Sequence, residues 1–338
     1  MDSRIKTDVV VIGGGPVGLF SIFQAGMLGM KVNLFDALET LGGQCTALYP
    51  KKPIYDIPGH PCIAAEALVK SLIDQAAPFR PVYHLGDMVS ELTQERDKWL
   101  IKTQSGIECE SSVVLIAAGN GSFVPNKPDI KGIDSFELSG SVAYCVKDYS
   151  HFDGQVVLIA GGGDSAVDWV NILSGVAKKI FLVHRREKFR CAEESLQKML
   201  KFVDAGIVEI CAPYQVYDIM GKGGVVEAVD IASIKEGEVR RLAVDKVLCC
   251  FGLKSRLGPI ENWGLSVDKG KVMVSYPTCM TNLPGVYAVG DIALYEHKLK
   301  LILTGFAEVS FALHDAYAKV FPEKTLRFQY STTQGVPN

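Results

Sequence analysis

The 338-residue chain has no C-x-x-C pair, no long basic tract and no apolar run approaching the length of a membrane span. Each absence removes a class of protein. Its nine cysteines, at 45, 62, 109, 145, 191, 211, 249, 250 and 279, are an odd number without a repeating spacing. A chain this large needs no disulfide framework, so a reducing, cytoplasmic setting is expected. The histidines near them complete no ligand pattern, and no metal or iron–sulfur centre is expected. A formal net charge of −3 gives no footprint for nucleic acid. Runs such as "SVVLIAAG" and "KVLCCFGL" fall far short of the ~20 residues that cross a bilayer, and the opening "MDSRIKTDVVVIGGG" has no signal-peptide h-region. No membrane partner is therefore expected. What remains is a chain 48% hydrophobic and 22% charged, able to bury a large core and long enough for two domains.

Glycine, at 33 residues, is what the chain has in pattern. The stretch "TDVVVIGGGPVGLFSIFQAGMLGMKVNLFDA" reads as strand, glycine turn, amphipathic helix and second strand, with G-x-G-x-x-G at Gly13, Gly15 and Gly18. Gly13 permits the tight turn, Gly15 lets a pyrophosphate approach the backbone, and Gly18 lets the helix pack on the strand. Asp36 ends the second strand, where a carboxylate accepts from the two hydroxyls of an unphosphorylated ribose. A glycine turn alone also merely joins strand to helix, but the pattern recurs. "GQVVLIAGGGDSAVDWVNILSGVAKKIFLVHRR" carries Gly161, Gly163 and Ala166 as G-x-G-x-x-A, opening a helix at Asp164 and Ser165. Two fingerprints imply two nucleotides.

Asp36 lies 23 positions after Gly13, and His184 lies 23 positions after Gly161. The two strand ends are chemically opposite. The second offers His184, Arg185, Arg186 and Arg190, which suit a 2′-phosphate and favour NADP over NAD. A solvated basic helix start is the plainer alternative, but cations are poorly placed at a helix N-terminus without an anion to offset them. Further on, "LGGQCTALYPKKPIYDIPGHP" has little periodicity and reads as a ligand-binding loop, and "LPGVYAVGDIA" runs a strand into Gly290 and Asp291 before an apolar helical stretch from about Thr304 to Lys319.

G-x-G-x-x-G, G-G-Q, A-x-G-D and an inserted second fingerprint, in this order, resemble the two-dinucleotide-binding flavoprotein disulfide reductases over essentially the whole chain. "VHRREKFR" and "GGGDSAVDW" resemble the thioredoxin reductase branch, while "ALYPKKPIYDIPG" and the tail "FQYSTTQG" resemble its ferredoxin–NADP reductase type. The resemblance implies an α/β fold of two Rossmann-like domains, the NADP domain inserted into the FAD domain. Compositional breaks at "GNGSFVPNKPDIKG" and "YPTCMTNLPGV" set the expected bounds: 1–116 and 282–331 for FAD, 117–281 for NADP, and 332–338 as a tail near the flavin. It further implies that Gly13, Gly15, Pro16, Val17, Gly18 and Asp36 bind the ADP half of FAD, with Gln44, Tyr49, Val89, Phe123 and Asp291 completing the pocket. Tyr49 would stack on one flavin face and Tyr330 on the other, with Ser331, Thr332 and Thr333 nearby as hydrogen-bonding groups. The implied reaction is hydride transfer from NADPH to flavin N5, without an acid–base residue, then one-electron passage to ferredoxin or flavodoxin. A homodimer is what the family suggests.

A diaphorase, a flavin reductase or a thioredoxin-reductase-like protein with another acceptor remains the alternative, and a non-catalytic dinucleotide-binding sensor a further one. In "SVAYCVKDYSHFDG", Cys145 and Asp148 stand where the thioredoxin reductase branch carries Y-C-x-x-C-D, so the resolving thiol is replaced by a carboxylate. Cys145 then has no internal disulfide to form and is expected to be structural.

Overall fold

A computed structural model describes residues 4–146 and 148–336, with the side chains of 122–124, 253–255 and 334 outside that description. The chain divides into two compact units, 1–123 with 255–338, and 124–254.

In the first unit, β1 (Ile5–Ile12), helix α1 (Pro16–Met27) and β2 (Val32–Asp36) form the βαβ unit of the first fingerprint. Helix α2 (Ala65–Ala76) leads to β3 (Val82–Leu85), followed by β4 (Val89–Glu95), β5 (Lys98–Thr103) and β6 (Glu108–Ile116). The sheet order is β3-β2-β1-β6-β5-β4. β1 lies between parallel neighbours, Val9 pairing with Val32 on one side and Val113 on the other. A strand covered on both faces is apolar throughout rather than alternating. Accordingly Val9 and Val11 enter one core with Leu19 and Leu34, while Val10 and Ile12 enter another with Phe35 and Trp99.

The second unit repeats the theme. β7 (Val142–Ala143) is an edge strand; β8 (Val156–Ala160), helix α3 (Asp164–Leu173) and β9 (Lys179–Val183) form the second βαβ unit. Helix α4 (Glu193–Asp204), β10 (Val208–Cys211) and β11 (Lys246–Cys249) complete a parallel sheet in the order β7-β11-β8-β9-β10. Three antiparallel strands, Tyr214–Lys222, Val225–Ser233 and Val239–Ala243, form a separate sheet. The chain then returns to the first unit, where β12 (Val286–Ala288) pairs in parallel with the end of β6 and helix α5 (Ile302–Val320) packs on α1.

The units part at 123/124 and 254/255, not at the expected 116/117 and 281/282. Residues 255–281 belong with the first unit because Leu257, Ile260, Trp263, Leu265 and Val272 are buried in the same core as Val10 and Ile12. The Trp263 indole also donates to the Ser90 carbonyl at 3.2 Å.

Candidate cofactor-binding sites

The first glycine turn is built by sterics. Gly13 has φ 109°, and a Cβ there would stand 2.5 Å from the Ala117 carbonyl oxygen. A Cβ on Gly18 would lie 1.9 Å from the Gly13 oxygen, so these two glycines serve the protein's own packing. Gly15 differs: a Cβ there meets nothing within 4 Å. It caps α1 just before Pro16, whose missing N–H is no loss at that position. The open space beside Gly15 is a 330 Å³ cavity. Gly13, Gly15, Pro16, Val17, Asp36, Gln44, Tyr49, Val89 and Asp291 all line it. Gly18 lies behind the turn.

Asp36 reaches the turn from the end of β2. Its Oδ2 accepts the Gly14 N–H at 2.5 Å and its Oδ1 the Leu38 N–H at 2.8 Å. Burial raises its pKa above the ordinary carboxylate value, against the lowering effect of those two N–H donors. Tyr49 is partly buried against the core, and burial raises its phenol pKa, so it enters as a neutral ring. Beside it Cys45 is 2% exposed and burial raises its thiol pKa.

Several lining residues went unread in the sequence. Met88, Leu257, Ile260 and Trp263 form an apolar wall, and the apolar character of "RLGPIENWGL" was the available signal. Phe123 lies on the strand Ser122–Pro125, and its side chain lies outside the described residues. The tail departs from expectation. Tyr330, Thr332 and Thr333 are exposed, Tyr330 to 70%, and none lines the cavity of its own chain. Tyr330 packs edge-on against Phe328 at 5.2 Å, and Phe328 lies 6.3 Å from the His314 ring on α5. The ring contacts of the tail thus run toward α5, and its expected residues stay outside the cavity lining of their own chain.

In the second unit all nine expected residues, Gly161, Gly163, Asp164, Ser165, Ala166, His184, Arg185, Arg186 and Arg190, line one 900 Å³ cavity. The glycine turn is tied to the basic loop at two points. The Arg190 N–H donates to the Gly162 carbonyl at 2.7 Å, and the Ala192 N–H to Asp164 Oδ1 at 2.9 Å. The loop's acid, Glu187, is taken up by Lys235 at 2.5 Å, leaving the exposed arginines for an incoming anion. His184 stacks on Phe189 at 5.3 Å, and its Nε2 is buried with no hydrogen-bond partner. Burial lowers its pKa below the ordinary imidazole value and the three arginine charges lower it further, against the raising effect of a backbone hydrogen bond at Lys188.

Both cavities fit dinucleotides on the chain's own features: an open helix start at Gly15 in the first, an orphaned imidazole nitrogen among arginines in the second. Asp148 has a structural occupation. Its Oδ1 accepts the Ser150 N–H at 2.9 Å and caps the turn Tyr149–Phe152, with Cys145 half-buried nearby in sequence.

Two glycine-turn βαβ units, each opening on a cavity with its own charge, define an oxidoreductase fold with two dinucleotide sites. The family model for pyridine nucleotide-disulphide oxidoreductases matches residues 7–313, and the chain belongs to that family. A ferredoxin–NADP reductase of Rickettsia felis is 51% identical over 328 residues, 97% of each chain. One of Rickettsia conorii is 50% identical over 97% of this chain and 96% of its own length. Among solved structures, thioredoxin reductase of Lactococcus lactis superposes with a TM-score of 0.78 at 25% identity, covering 94% of this chain and 99% of that one. That of T. acidophilum has the same fold, with a TM-score of 0.78 at 24% identity over 93% and 99%. Among the described residues no helix is long and apolar enough to cross a membrane.

Proposed function

We propose that this chain is an enzyme that carries electrons between NADPH and ferredoxin, or a flavodoxin, through FAD. FAD occupies the first cavity and NADP(H) the second. The observation that carries this reading is the opposition of two equivalent strand ends, Asp36 on one turn and the arginine loop on the other; full-length similarity to ferredoxin–NADP reductases supports it.

FAD, when bound, takes a hydride from NADPH and releases electrons singly, which makes it the converter between a two-electron donor and a one-electron carrier. The chain's residues position and hold. The α1 start at Gly15 and Pro16 receives the pyrophosphate, where the helix dipole favours negative charge. Asp36 accepts from the ribose hydroxyls, Tyr49 offers its ring to the planar flavin, and Gln44, Val89 and Asp291 close the pocket. Arg185, Arg186 and Arg190 bind the 2′-phosphate of NADP through charge-assisted hydrogen bonds. No side chain is required to move a proton. The reading includes a cytoplasmic setting, supported by nine cysteines without a C-x-x-C pair, the absence of nucleic-acid and membrane partners, supported by the mild net charge and the lack of a long apolar run, and a homodimer, which the family resemblance suggests.

The test is steady-state NADPH oxidation by the FAD-loaded protein with ferredoxin, flavodoxin and thioredoxin offered separately. Turnover with ferredoxin or flavodoxin and none with thioredoxin is expected. An equal low rate with every carrier would make the protein a diaphorase and overturn the assignment of the acceptor.

A further inference from the structure

Helix α5 carries one acid on its buried face. Gly305, Val309, Ala312, Leu313 and Ala316 form that face, and among them Glu308 is 0% exposed. Its carboxylate is fully engaged. Oε2 accepts the Gly290 N–H at 2.7 Å; Oε1 accepts the Tyr295 hydroxyl at 2.7 Å and forms an ion pair with Lys298 Nζ. The Lys298 side chain is only 4% exposed, so both ends of the pair are removed from water.

Such a pair is a poor device for stability. Desolvating each ion costs several kcal/mol, and apolar residues of similar volume often do as well or better. The pair's distinguishing contact is with the backbone. The N–H it fixes belongs to Gly290, which sits at φ 74°, lines the first cavity and precedes Asp291, another lining residue. A Cβ on Gly290 would lie 3.3 Å from a Val17 methyl, so this turn is also pressed against the first turn of α1. Glu308 therefore anchors the cavity wall that carries Asp291, from behind and without touching the cavity itself.

We propose that Glu308 is a positioning residue for the flavin: its carboxylate fixes the Gly290–Asp291 turn, and Lys298 cancels its charge so that this buried anchor adds no net charge behind the cofactor. The inference rests on FAD occupying the first cavity. It makes opposite predictions for the two members of the pair, which a purely structural role does not.

The experiment measures the FAD dissociation constant and the midpoint potential of bound FAD in Glu308→Gln, Lys298→Met, the double variant and Gly15→Leu. Glu308→Gln loses a charge-assisted hydrogen bond to the turn, and FAD should bind about 10- to 100-fold more weakly. It also leaves Lys298 uncompensated, and the added positive charge should shift the potential upward, because reduction adds negative charge to the flavin. Lys298→Met leaves Glu308 uncompensated and should shift it downward. The double variant should return to the wild-type potential while keeping the weakened affinity. If Glu308→Gln binds FAD at wild-type affinity, or if the two single variants shift the potential in the same direction or not at all, the proposal is overturned and the FAD site stands. Gly15→Leu fills the open space beside the turn and should abolish FAD binding; retention at wild-type affinity would remove the site and this inference together.

Discussion

Between the first two glycines of each fingerprint stands a further glycine, and there the two units solve the same problem with opposite chemistry. A Cβ on Gly14 would stand 3.0 Å from Asp36 Oδ2, and one on Gly162 would stand 2.3 Å from the His184 ring. In both, the residue at the end of the second strand or directly after it lies over the glycine turn, closely enough at Gly162 that a side chain would displace the imidazole. The scaffold thus brings one side chain to one place twice. In the first unit that side chain is a carboxylate tied to two N–H groups, and in the second an imidazole whose pKa is lowered by burial and by three nearby arginines. The same backbone turn thus carries opposite charge in the two units, and under the proposed function that difference separates FAD from NADP.

The third fingerprint position separates the units mechanically. Gly18 lies so close to Gly13 that no side chain fits, whereas the second unit accommodates Ala166. The largest effect is therefore expected from Gly18→Ala, which should lose several kcal/mol of stability and all bound FAD, read by thermal melting and flavin absorbance; overpacking a closed core costs about 1–3 kcal/mol or more. The mirror change, Ala166→Gly, should cost only about 1 kcal/mol through helix propensity. Similar losses for both would erase the distinction.

Next in size, Arg185→Ala with Arg186→Ala should weaken NADPH binding about 10- to 100-fold while leaving NADH unchanged, as loss of charge-assisted bonds to one phosphate requires. Equal loss for both nucleotides in titration calorimetry would mean that the arginines do not read the 2′-phosphate.

A pH titration sharpens the same contrast with a smaller effect. Asp36 accepts hydrogen bonds best when ionised, and its pKa is raised by burial, so FAD affinity should hold above that pKa and fall about tenfold per unit below it. The fall should begin at a higher pH than for an ordinary carboxylate, and Asp36→Asn should flatten it. His184, with its pKa lowered, should place any step in NADPH affinity at a lower pH than an ordinary imidazole would. The smallest effect belongs to Cys145→Ser, which should leave ferredoxin-dependent turnover within about twofold in the steady-state assay, because position 148, where the thioredoxin reductase branch carries its second cysteine, is an aspartate.

Features dictated by local spacing were legible in the sequence. The two glycine turns, the 23-residue interval to Asp36 and to His184, and the long helix near Thr304, observed as Ile302–Val320, all follow from short-range pattern. What escaped depends on long-range packing. Residues 255–281 carry no fingerprint, and only the burial of Leu257 and Trp263 beside Val10 shows which unit owns them. Glu308 broke the apolar period of its helix and was the one sign of a buried charge there. Its partner Lys298 lies ten residues away on an irregular segment, beyond any helical spacing rule. The tail was placed from resemblance alone, and the ring contact of Phe328 with α5 is one that no pattern in "FQYSTTQG" encodes.

The late arrival of β12 sets an order of assembly on the ribosome. The second unit is one unbroken segment, so its whole sheet has emerged while the first still lacks a strand. Until Val286–Ala288 appears, the end of β6, with Val114, Leu115 and Ile116, has an unpaired edge on the side β12 will take. Such an edge is a template for pairing with another chain. The first unit therefore cannot complete its sheet until after residue 254, when every strand of the inserted unit has already been made.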